Sequence, residues 1–371
     1  MWKKDERIPS GCAISGFINR CGRKESGEAI LRSIAAMHER SNGLGGGFAV
    51  YGCYPEYAAC YAFHLMFESE AARDRVEEFL RRSFVVQGAE PIPTRSVASI
   101  TDQPLLWRYF LEVRPESLTV GNTFLTEEDF VVAAVMEINA HFDGAYVASS
   151  GKNMGVFKGV GYPEEIGRFY RLEEYQGYLW TAHGRFPTNT PGWWGGAHPF
   201  ALLDWSVVHN GEISSYGINK RYLEGHGYLC RLGTDTEVIA YLFDLFQRRH
   251  GLPLSATCLA LAAPFWSEID RLPPEEATIA RAVRMVYGSG LLNGPFSIIV
   301  ANRSGMIGLN DRIKLRPMVV AERGETVYMA SEEAAIREIC PSVDRLWYAR
   351  GGEPVVAAMM PLGAEAEAEV A

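Results

Sequence analysis

Strands that arrive in clusters, instead of alternating strictly with helices, predict an α+β protein of mostly antiparallel sheets covered by helices. Two observations carry this. Apolar or alternating runs recur at 12–17, 50–67, 142–149, 154–160, 178–183, 205–209, 296–301, 326–330 and 345–349. Helical periodicity separates them only at intervals. The first helix is expected from a Ser26 cap, carries Ala29, Ile30, Ile34 and Met37 on one face, and ends at the glycines of 43–47. The second, 68–84, has Val76, Phe79, Leu80 and Phe84 as its apolar stripe. Further helices are expected near 127–139, at 235–249, at 275–287, and at 331–340, where Ser331 supplies a cap and Ala334, Ala335 and Ile336 a stripe.

Residues 1–11 are polar and charged with a Pro-Ser-Gly ending and read as a mobile leader, removed on maturation. The Ala/Glu-rich stretch 361–371 reads as a flexible tail. No linker or internal repeat divides 12–360. A net charge of -9 without a basic stripe argues against a nucleic-acid partner. The longest apolar stretch, 258–266, is too short for a bilayer span, and the charged N-terminus does not fit a signal peptide. The cytoplasm is the expected compartment. Seven widely spaced cysteines without a Cys-x-x-Cys pair fit reducing conditions and speak against iron–sulfur or zinc ligation by this chain.

One block, 183–238, concentrates chemistry: His183-Gly184-Arg185-Phe186-Pro187-Thr188-Asn189, then Ala197-His198-Pro199-Phe200, His209-Asn210-Gly211-Glu212, and Gly233-Thr234-Asp235-Thr236-Glu237. It offers a guanidinium, an amide beside a glycine, and a carboxylate, which together suit a zwitterionic amino acid. Each has a plainer reading: Arg185 as a solvated surface charge, Asn210-Gly211 as a tight turn, Asp235 as an acid at a helix start. His183, His198 and His209 match no compact zinc spacing and read as core histidines. What the block lacks is a nucleophile. Cys12, flanked by small residues in Ser10-Gly11-Cys12-Ala13, is a candidate, although a lone cysteine is more often a buried core residue. Freed of the leader, Cys12 would carry its own base, an α-amine of pKa about 7.7 to 8.0.

Together, Cys12, Arg185, Asn210, Gly211 and Asp235 resemble the set of the class II glutamine amidotransferases, of the N-terminal-nucleophile hydrolase type. The stretches 37–47 (with Arg40), 191–196 (with Trp193 and Trp194) and 309–317 narrow the likeness to the stand-alone amidotransferase subunit of archaeal-type, multi-subunit glutamate synthases. The resemblance implies a four-layer α-β-β-α sandwich. Cys12 would be the nucleophile, Asn210 and Gly211 the oxyanion donors, and Arg185 and Asp235 the clamps for the substrate α-carboxylate and α-ammonium. Phe186, Thr188 and Asn189 would complete the glutamine pocket, with Arg40 behind it. It implies no cofactor or metal on this chain. FMN, iron–sulfur clusters and a reduced nicotinamide or ferredoxin donor would sit on partner subunits, an FMN-containing synthase subunit first among them. The amidotransferase subunit of N-methylglutamate synthase and a glutamine-binding regulatory protein without turnover are the alternatives. Trp193-Trp194 is either a partner patch or buried loop packing.

Overall fold

The computed structural model describes residues 11–120, 123–186 and 192–361. Three sheets dominate, and every strand pairing within them is antiparallel. The largest has seven strands in the order Met154–Gly159, Gly46–Tyr51, Leu179–Gly184, Ala13–Asn19, Thr326–Ala330, Val319–Arg323 and Arg345–Tyr348. The second has five: Phe200–Leu202, Trp205–Gly211, Phe296–Asn302, Gly305–Asn310 and Val355–Ala358. The third has four: Phe84–Pro91, Leu105–Val113, Tyr61–Phe67 and Ala145–Ser149. Helices and antiparallel sheets therefore coexist, as the clustered strand pattern predicts.

The apolar runs explain how the sheets sit. In Trp205–Gly211, Val208 joins the core beneath the seven-stranded sheet, while Val207 joins a second core on the opposite face. In Phe296–Asn302, Ile299 and Ala301 face the first core, and Ile298 and Val300 the second. Strands buried on both faces need no polar alternation, hence their continuous hydrophobicity. Ala13–Asn19 and Leu179–Gly184 lie against Trp205–Gly211 and Phe296–Asn302, so the two sheets face each other. Glu28–Ala35 packs on the far side of the larger sheet between Glu333–Ile339 and Pro163–Phe169, through its buried Ile30 and Ile34. Asp235–Phe243 packs on Trp205–Gly211 and Phe200–Leu202. Glu70–Ser83, capped by Ser69 through the Ala72 amide, and Glu127–His141, capped by Thr126, cover the four-stranded sheet. Among the described residues no helix is long and apolar enough to cross a membrane.

Two expected caps are corrected. Gly27, not Ser26, holds the N-cap position of Glu28–Ala35; the Ser26 hydroxyl accepts the Glu28 N–H at 3.2 Å and donates to the Glu173 carbonyl at 2.7 Å. Glu332 precedes Glu333–Ile339, and the Ser331 hydroxyl is drawn elsewhere, accepting the Ile14 N–H at 3.2 Å. A hydroxyl beside two strands and a helix goes to the donor that would otherwise be buried unpaired. Trp193 and Trp194 are half-buried, edge-on to Tyr146 of the strand Ala145–Ser149 and Phe169 of the helix Pro163–Phe169 respectively.

Close backbone approach makes Gly47 irreplaceable. A Cβ there would stand 2.3 Å from the His198 carbonyl oxygen and 2.5 Å from the Lys158 Cβ. Gly47→Ala is expected to cost about 1 to 3 kcal/mol in urea unfolding. Gly225→Ala, where nothing lies within 4 Å, should stay within about 1 kcal/mol of the parent, on the stable side.

Candidate active site

Sheet register assembles the site. Ala13 pairs with Gly184 across antiparallel strands, and one step further Cys12 comes opposite Arg185. The Phe186 N–H then donates to Cys12 Sγ at 3.3 Å. On the other flank Ile14 meets Ser331: the Ser331 N–H donates to the Ile14 carbonyl at 2.9 Å, and the Asn210 Nδ2 donates to Ser331 Oγ at 3.3 Å. Arg40 reaches in from its short helical turn, with Nε donating to the Cys12 carbonyl at 3.3 Å and Nη1 paired with Glu332 at 2.9 Å. Cys12 is thus fixed at three points: thiol, carbonyl and the backbone that follows.

A cavity of about 380 Å³ opens beside it. Cys12, Arg185, Phe186, Gly211 and Asp235 line it, together with His198, His209, Ile213 and Tyr216. Its size lies within the range for small-molecule pockets. Arg185, 8% exposed, is held by its backbone, the N–H donating to the Gly45 carbonyl at 2.8 Å and the carbonyl accepting from Asn42 N–H at 3.2 Å. Gly211 has φ +145°, and a Cβ would lie 1.9 Å from the Pro295 carbonyl oxygen, so only glycine fits at this rim. Asp235 opens Asp235–Phe243 beside the Thr234 cap; its Oδ2 accepts the Ile213 N–H at 2.9 Å, and Oδ1 stands 3.6 Å from His209 Nδ1.

Electrostatics divide the site. Burial pushes the Cys12 thiol up; the Phe186 N–H and the Arg185 and Arg316 charges oppose this, Asp235 adds to it, and the thiol stays raised. Burial also lowers Arg185, against the pull of Cys12 and Asp235. For Asp235 burial raises the carboxyl, but His209 and the hydrogen bonds it receives outweigh this and leave it low. The resting site therefore pairs a protonated thiol with an anionic carboxylate.

The structure brings together Cys12, Arg185, Phe186, Gly211 and Asp235. Asn210 lies behind them, fully buried, with Nδ2 on Ser331 and Oδ1 3.6 Å from the position a Gly11 Cβ would take. Arg40 stands behind Cys12, on its carbonyl. Thr188 and Asn189 lie outside the described residues. Sequence reasoning missed Ser331 as a site residue, misassigned as a cap, and Arg316, whose Nη1 comes within 3.1 Å of the same Gly11 position. It also took the three histidines for core alone, although His198 and His209 line the cavity. Among the described residues no cluster of three His, Cys, Asp or Glu side chains is placed to hold a metal ion.

Several known proteins are similar to this chain in sequence or structure. A solved structure of the glutamine phosphoribosylpyrophosphate amidotransferase of B. subtilis aligns with a TM-score of 0.47 at 14% identity, covering 94% of this chain and 47% of that one. A glutamine–fructose-6-phosphate aminotransferase of Sulfurisphaera tokodaii is 35% identical over 175 residues, 46% of this chain and 27% of the relative. An uncharacterized protein of Archaeoglobus fulgidus is 52% identical over 348 residues, 93% of this chain and 91% of that one. The family described as glutamine amidotransferases class-II matches residues 96–230, which hold Arg185, Asn210 and Gly211. Residues 96–230 are thus similar to the class II glutamine amidotransferases.

Proposed function

We propose that this chain hydrolyses glutamine to glutamate and ammonia and hands the ammonia to a synthase partner, in a four-layer sandwich formed by the two facing sheets and their helices. The observation that carries the reading is the convergence of Cys12, Arg185 and Asp235 on one small cavity. Arg185 meets the α-carboxylate through a two-point contact, Asp235 meets the α-ammonium, and the side-chain amide is left toward Cys12.

The raised thiol needs a base. Burial drives His183 down to about 3 and His198 well below its usual range, so these imidazoles are poor proton acceptors. The α-amine of Cys12, released by removal of 1–11, fits the task. Sγ then attacks the amide carbon, ammonia leaves, and water resolves the γ-glutamyl thioester to glutamate. The Gly211 N–H and the Asn210 amide hold the oxyanion. For Asn210 this requires a half-turn of the carboxamide, which exchanges two nearly isosteric groups. The turn puts the buried Oδ1, which has no partner among the described residues, beside the Ser331 hydroxyl as its donor and sends Nδ2 to the Gly11 side, where Oδ1 stood.

The partner is proposed to be an FMN-bearing glutamate synthase subunit that forms glutamate from 2-oxoglutarate in the cytoplasm. Further subunits would carry iron–sulfur clusters and accept electrons from a reduced nicotinamide or ferredoxin. Reconstitution with the co-purifying flavoprotein, assayed on 2-oxoglutarate against methylamine, separates this from N-methylglutamate synthesis. A glutamine sensor would need only Arg185 and Asp235, so the placed thiol favours turnover.

Active protein is expected to begin at Cys12 by N-terminal sequencing, and Cys12→Ala to lower ammonia release at least about 10³-fold with the fold intact by circular dichroism. A fully active chain that retains residues 1–11 overturns the mechanism. Arg185→Lys keeps the charge and loses the fork, so the KM for glutamine should rise about tenfold or more while kcat changes little.

A further inference from the structure

Three histidines of the segment 183–209 converge behind Asp235, and a single hydroxyl joins two of them, His198 and His209, to it. Thr236 Oγ1, fully buried, lies 2.6 Å from His198 Nε2 and 3.1 Å from His209 Nδ1, and donates to Asp235 Oδ1 at 3.3 Å. His183 Nε2 donates to the His209 carbonyl at 2.9 Å, and its ring stacks on His198 with centroids 4.1 Å apart.

Proton counting gives this arrangement a direction. A hydroxyl has one proton to donate and two lone pairs to accept with. With the Thr236 proton on the carboxylate, both imidazole contacts must be N–H donors, which fixes the Nε2–H form of His198 and places a proton on His209 Nδ1. The opposite ring nitrogens, His183 Nδ1, His198 Nδ1 and His209 Nε2, are buried without partners among the described residues, as bare lone pairs can be. The polar hydrogens of His198, His209 and Thr236 thus run in one direction, through the hydroxyl to Asp235. The Ile213 N–H secures the other carboxylate oxygen at 2.9 Å.

We infer that Thr236, oriented by His198 and His209, is a positioning residue that fixes the Asp235 carboxylate for the α-ammonium group of the substrate. The inference rests on the reading of Asp235 in the proposed function. A helix start alone requires the Thr234 cap, whose hydroxyl already accepts the Thr236 N–H at 3.2 Å; it does not require two histidines on the next side chain.

Processed protein carrying Thr236→Val or Thr236→Ser, compared on glutamine and on 4-carbamoylbutanoate, which is glutamine without the α-amino group, tests this. A hydrogen bond to a charged group converts to about 10- to 100-fold. Thr236→Val should lose that factor in kcat/KM on glutamine through KM, keep kcat, and leave the desamino substrate within about threefold. Thr236→Ser, which retains the hydroxyl, should keep the wild-type preference. Thr236→Cys, with only a weak donor, replaces Val should Val not fold, with the same expectation. Equal losses on both substrates, or a Ser variant as impaired as Val, overturn the inference. A wild type that treats the two substrates alike removes the Asp235 reading, and this inference with it. Wild-type preference for glutamine combined with an unaltered Val variant removes the inference alone.

Discussion

The antiparallel register of Ala13–Asn19 between its two neighbours is the constraint on which the site depends. Pairing with Leu179–Gly184 sets Arg185 and Phe186 against Cys12, and pairing with Thr326–Ala330 sets Ser331 and Glu332 against the residues that follow it. Side chains alternate with a period of two, so a slip of one residue on either flank would exchange core for site along the strand. Strong apolar demand prevents this: Ile14, Phe17, Ile18 and Trp180 are almost fully buried. The same burial that locks the register raises the thiol, so structural precision and the need for a base have one origin.

From the second sheet comes the other half of the cavity. Trp205–Gly211 ends at Gly211, where the positive φ and the approach of the Pro295 carbonyl bend the chain out along the pocket rim. Asp311, buried, then ties the neighbouring turn: its carboxylate accepts the N–H groups of Phe296, Ile313 and Leu315 between 2.8 and 3.2 Å. That turn carries Arg316 to the Gly11 side of Cys12. Arg185 and Cys12 thus come from adjacent strand ends of one sheet and Gly211 from a strand end of the other, and the glycine joins them because the sheets face each other.

Much of this was legible in the sequence where the signal was local. Strands at 326–330 and 296–301 were recognisable from apolar content, and the helix of Glu127–His141 from its acidic first turn. Phe84–Pro91 and Leu105–Val113 were not recognised, because glycine, a charge and a closing proline interrupt the first and Arg108 and Glu112 the second. Ser331 was read as a cap since its sequence neighbours are helical, yet its partners Ile14 and Asn210 are 317 and 121 residues away. Propensity ranks local alternatives and is silent on such pairings. For the histidines, spacing could exclude a compact zinc pattern but not reveal that His198 and His209 share one hydroxyl.

Buried charge behind the cavity follows the same logic. Burial brings Glu237 up to about 7, against the amides of Arg231 and Leu232 and the Tyr241 hydroxyl that donate to it, and lowers Lys158 to about 7. Lys158 is spent on the Gly195 carbonyl at 3.0 Å and the face of Phe200. Such groups are costly in an apolar interior and contribute little net stability when replaced by packed hydrocarbon. Their partners are the two backbone segments that border the pocket: 231–232, just before Thr234 and Asp235, and Gly195, just before His198. A fully satisfied polar network fixes a loop in one conformation more narrowly than apolar contacts do. Glu237 and Lys158 therefore extend to the loops the constraint that strand register imposes on Cys12 and Arg185.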